Sequence, residues 1–152
     1  MLSFVPKIHK SPGPVMNTVR KWLGVVALIA GSMGYALAAT IHVPLRGRQE
    51  VPAVKSAAYG EGTVTVLADH TLRAEVIVHG VKPTMVHIHE GAAGANGPPI
   101  IWLKPAGGDV WRVAPGTKLT PAEYKAFRAG ELYFNVHSQR DPAGELRGQI
   151  KP

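Results

Sequence analysis

Cysteine is absent from this 152-residue chain. That excludes a catalytic thiol, a cysteine zinc site and an iron–sulfur cluster, and it means that a secreted form must stand on its core alone. No acidic residue occurs before Glu50. No lysine–arginine run and no basic stretch interleaved with aromatics is found, so nucleic-acid binding is not indicated. No serine sits in a nucleophile-elbow pattern, and no glycine-rich loop leads into Lys and Ser/Thr to cradle a phosphate. Repeats, coiled-coil heptads and a second domain are lacking as well.

One long apolar run does occur, and it lies close to the N-terminus. Lys7, Lys10, Arg20 and Lys21 precede or open "WLGVVALIAGSMGYALAA", which ends on the small residues Ala36, Leu37 and Ala38. A basic n-region, an apolar h-region and an Ala-x-Ala site describe a secretory signal peptide over residues 1–38. Met16 opens a stretch of ordinary signal-peptide proportions, so residues 1–15 read as an extended n-region or an over-called start. Retention of the run as a membrane anchor is the alternative, although Gly24, Gly31, Ser32 and Gly34 dilute it. The expected location is periplasmic or secreted, with membrane contact only through an uncleaved leader. Beyond the leader stand 13 of the 17 Lys/Arg and all 10 Asp/Glu, a net of +3 in place of the formal +7.

From Ile41 onward the texture is short alternating runs separated by Gly, Pro, Asn and Asp, which predicts strands. Eight such runs are "IHVPLRG", "GEGTVTVLAD", "HTLRAEVIVHGV", "TMVHIHEG", "PPIIWLKP", "DVWRVAPG", "ELYFNVHS" and "GELRGQIKP". "TPAEYKAFRAGEL" departs from the pattern. Thr120 as N-cap, Pro121 at the first helical position and Glu123 completing a capping box predict a short helix near 120–129, closed by Gly130. Leu119, Tyr124 and Phe127 are placed on its inner side. Residues 39–152 thus read as one all-β domain, an antiparallel Greek-key β-sandwich or barrel of immunoglobulin-like or superoxide-dismutase-like type.

Histidine carries the chemistry. Residues i and i+2 of a strand share a face, so His87 and His89 project together while Val86 and Ile88 pack on the other side. His137 ends an alternating strand just before a turn, as His89 does. If those strand ends meet, three imidazoles converge at one rim with an open position, a set suited to copper or zinc. The opposing reading has His137 bonded to the "DPAG" turn and no metal. His70 reads as a solvated turn residue, and His79 as an exposed strand end. Glu90 and Asp141 are candidates to orient imidazole N–H groups. Glu145 and Arg147 lie two apart on one strand face, as a surface ion pair or with a bond that positions the Asn96–Gly97 turn.

"LRGRQEVPAVKSAAYGEGTVTV", "MVHIHEGAAGANGPPI" and "LRAGELYFNVHSQRDPAGELRGQI" occur in that order. Together they resemble the pattern of the CHRD (chordin) domain across about residues 43–151, with Ala53 and Ser138 as small departures. The resemblance implies an all-β domain of exported proteins and no particular reaction. A more distant likeness is to the copper-site strands of Cu/Zn superoxide dismutases. It implies that His87, His89 and His137 match three copper ligands, and that Arg147 falls one residue from an anion-guiding arginine. Pro99 stands where the metal-bridging histidine would be, so one copper ion and no zinc site are expected. Three readings result: an exported domain that binds or handles copper, a dismutase-like oxidoreductase, and a metal-free interaction module with an undefined protein partner.

Overall fold

The structure is a computed structural model and describes Gly13 and residues 39–152. The signal-peptide reading of residues 1–38 lies, Gly13 aside, outside the described residues. Eight strands form among the described residues: β1 Ile41–Arg46, β2 Tyr59–Val66, β3 Leu72–His79, β4 Pro83–Glu90, β5 Pro99–Pro105, β6 Val110–Val113, β7 Leu132–Ser138 and β8 Leu146–Ile150. Each coincides with one of the alternating runs, because alternation and turn residues specify a half-buried strand locally.

All pairs are antiparallel, and the order β1-β2-β3-β6-β5-β4-β7-β8 closes on itself as a barrel. Strands β4, β5 and β6 run as a meander, and β7 returns to lie beside β4, which is the Greek-key arrangement. Closure is thin, since β1 meets β8 through the single pair Arg46 and Arg147. One face of every strand fills the interior. Leu45, Val76, Val78, Ile88, Phe134, Val136 and Leu146 are wholly enclosed there.

The helix α1 spans Pro121–Arg128. Thr120 Oγ1 accepts from the Glu123 backbone N–H at 3.2 Å, and the Glu123 carboxylate accepts from the Thr120 N–H at 2.7 Å. These bonds satisfy two donors that the first turn leaves open. Leu119, Ala126 and Phe127 are buried in the core cluster. His70, whose turn position suggested a solvated ring, is half-buried. Its backbone is left-handed (φ 65°), and its ring stacks on Tyr124 at 4.0 Å.

Candidate metal centre

The barrel's outer surface is not uniformly wet. On β4, Val86 and Ile88 point inward, so His87 and His89 point outward, yet both histidines are buried. All seven residues of β7 are buried, including the outward Tyr133, Asn135 and His137. Register sets the geometry: Met85 faces His137, His87 faces Asn135, and His89 faces Tyr133. His137 is therefore the diagonal cross-strand neighbour of His87, within reach of a ring. The expected meeting of two strand ends at a rim does not occur. Antiparallel pairing sets the end of β4 against the start of β7, and the three rings gather in the middle of the outer face.

One ligand atom from each of His87, His89 and His137 lies within 4.8 Å of the other two. His137 Nδ1 donates to the Pro142 carbonyl at 3.0 Å, and His89 Nδ1 donates to the Gly97 carbonyl at 2.8 Å. A neutral ring with its proton on Nδ1 has a lone pair on Nε2. His137 Nε2 uses that pair to accept from His87 Nδ1 at 3.1 Å. His87 Nε2 and His89 Nε2 are left buried with no partner among the described residues. Burial, then the neighbouring His137 and His89 rings, brings the His87 pKa down to about 4. Burial likewise lowers His89, against the raising effect of its bond to Gly97. Both rings are neutral at pH 7, the form that binds metal.

These residues fit a metal ion. Two buried imidazole lone pairs without a partner are costly unless something supplies one. A metal with M–N bonds of about 2.0–2.1 Å separates its nitrogens by about 3–4 Å, so small ring rotations gather all three. The carbonyl bonds on Nδ1 of His89 and His137 are those that orient metal-ligating imidazoles. The backbone does this work, not the candidates Glu90 and Asp141. Asp141 is tied to Arg140, and Glu90 makes no side-chain hydrogen bond among the described residues.

The cover comes from three segments. Arg147, 1 % exposed, donates to the Ala92 and Ala95 carbonyls and to Asn96 Oδ1 in the loop after β4. It also lies 3.6 Å over the Tyr133 ring, which in turn stacks on His89. The guanidinium expected to attract anions is instead spent on loop carbonyls. It holds the Asn96–Gly97 turn, while its expected ion-pair partner Glu145 bonds Ser56 and Arg140. Gly97 has no room for a side chain, since a Cβ there would lie 1.6 Å from the Glu90 carbonyl oxygen. Gly144 is constrained by its φ of 143°, and a Cβ there would lie 2.7 Å from Asn135 Nδ2 and 2.9 Å from Glu50 Oε1.

Glu50 and Asn135 went unrecognised in the sequence. Glu50, from the segment after β1, accepts a hydrogen bond from Asn135 Nδ2 beside the histidines. Burial raises its pKa to about 7 against the lowering influence of Asn135 and Arg147. Asn135 shares the outward parity of His137, which is a signal; nothing local marks Glu50. On the other flank, Trp102 faces His87 from β5, with its ring edge-on at 5.5 Å and 53 % exposed.

The fold and the site define an all-β barrel that carries a buried three-histidine cluster under its loops. The chain belongs to the CHRD domain family, whose model matches residues 41–150. No curated protein and no solved structure matches the chain. The likeness to superoxide dismutases therefore finds no support in these comparisons.

Proposed function

We propose that this CHRD-domain barrel binds one copper ion through His87, His89 and His137, and that it serves in copper binding or handling outside the cytoplasm. The observation that carries the reading is the pair of buried, unpartnered imidazole nitrogens next to a third histidine within ligand range. Three neutral nitrogen donors suit copper, which tops the affinity order of divalent first-row metals at such sites. Export rests on the basic and apolar N-terminal sequence. Dismutation is not part of the proposal.

A metal-free interaction module is the second reading, favoured by the bonds from His89 to Gly97 and from His137 to Pro142, which brace two loops without any ion. Copper titration of the chain, purified without a histidine tag, separates the two. The copper reading expects one tight equivalent with nitrogen hyperfine structure in the Cu(II) EPR spectrum, lost in His87→Ala and His137→Ala. Weak binding that survives both substitutions would leave the module reading alone.

A further inference from the structure

A cleft with a volume near 350 Å³ has His89 in its wall, beside Glu50, Asn135, Tyr133, Gly97 and the turn Arg140–Gly144. We propose that this cleft is the ligand port of the metal centre: it admits a small anion of two or three atoms to the position the histidines leave open, with Glu50, held by Asn135, in the wall beside it. The inference rests on the copper reading and adds the class of ligand the bound ion takes.

Size comes first. His87, His89 and His137 are only 6 %, 8 % and 7 % exposed, so little of each ring is open, which favours a ligand of few atoms. Charge selects the sign. A copper ion held by three neutral imidazoles keeps its full positive charge in a poorly hydrated site, where an anion is strongly attracted. Arg140 in the cleft wall is already paired with Asp141 and Glu145, so the attraction comes from the ion itself.

Glu50 is the one acidic side chain buried in the cleft wall, at 8 % exposure. The charged groups that act on it are Arg147 from β8 and Asp141 from the β7–β8 turn, and Arg140 shares the cleft. In its protonated form Glu50 places a hydroxyl donor beside the ligand position; ionised, it sets a like charge there. Gly144 keeps this corner open, because any side chain at that position would displace Asn135 and Glu50.

The test uses the full chain loaded with one equivalent of Cu(II), with azide as the probe. Wild type is expected to give a saturable azide-to-copper charge-transfer band. Ala143→Trp fills the exposed lip of the cleft and should weaken azide by about tenfold or more, since access through the cleft is lost. The Cu(II) EPR spectrum before azide and the melting temperature should not change. Glu50→Gln at pH 8 should strengthen azide by about tenfold, because a like charge beside the anion is gone. No azide band on copper-loaded wild type, or equal azide affinity in all three proteins, overturns the port and leaves the copper site standing. A wild-type chain that takes up no copper overturns both.

Discussion

The two faces of β7 are both buried, and they are buried by different physics. Inward, Leu132, Phe134 and Val136 meet other strands in an apolar interior that closes through packing. Outward, Tyr133, Asn135 and His137 lie under loops that are held by directed bonds, with Arg147 and His89 donating to loop carbonyls. On the far side of the barrel β3 shows the usual contrast, with Leu72, Ala74, Val76 and Val78 buried and Arg73 exposed. A loop-covered outer face costs more to build, because every polar group there needs a partner, and it yields a site whose donors are aimed in advance. The interior supplies stability, and the covered face gathers the three-histidine cluster.

Substitution on each face sharpens that division. Phe134→Ala opens a cavity in the interior and should cost about 3–5 kcal/mol in urea unfolding. If the proposed copper site holds, the folded fraction should keep the wild-type copper stoichiometry; a selective loss of copper binding would break the division. Arg147→Met should cost less, about 1–3 kcal/mol, because several of the carbonyls it releases sit in an exposed loop that water reaches. Its distinguishing mark is faster proteolysis within residues 91–98, measured under native conditions. Loss of interior protection to the same degree would show that the cover is not a separate layer.

The smallest effect is in the pH dependence of the metal-free protein. His87 has a folded pKa of about 4 against an ordinary 6.5. Between those values the unfolded chain holds more protons, so this contribution is present above pH 6.5 and is lost as pH falls toward 4. Glu50 acts in the opposite sense, with a folded pKa of about 7 against 4.5. The folded chain holds the extra proton there, so stability declines as pH rises from 4.5 to 7. The two oppose one another over most of the window. Glu50→Gln should therefore steepen the rise in stability with pH below 6.5 and remove the decline near neutrality, as read by melting temperature. A wild-type curve reproduced by Glu50→Gln would place Glu50 in water.

Much of this was legible locally. Strands and helix showed because alternation, turn residues and the Thr120 capping box are written within a few neighbouring positions. The i, i+2 spacing of His87 and His89 placed both on one face. His137 was found from its own strand, although the reason given, a meeting of strand ends, was not the one that brings it in. Cross-strand register does that, and register is a property of pairs far apart in the chain. The cover was hidden for the same cause. Glu50 meets Asn135 across 85 positions, and Ser56 meets Glu145 across 89, from segments without periodicity. Arg147 was visible as a residue that positions the Asn96–Gly97 turn, but its near-complete burial was not.

Trp102 has a consequence of its own. Its indole stands edge-on to His87 with half its surface in solvent, while Trp111 on β6 packs against the core. A paramagnetic ion within a few ångströms of an indole drains its excited state, and Trp102 is the indole beside the cluster. Occupancy of the three histidines should therefore register as a loss of solvent-shifted, red-edge emission against the remaining light of Trp111 and of Trp22 in the N-terminal segment. The barrel carries its own optical gauge of whether the centre is filled.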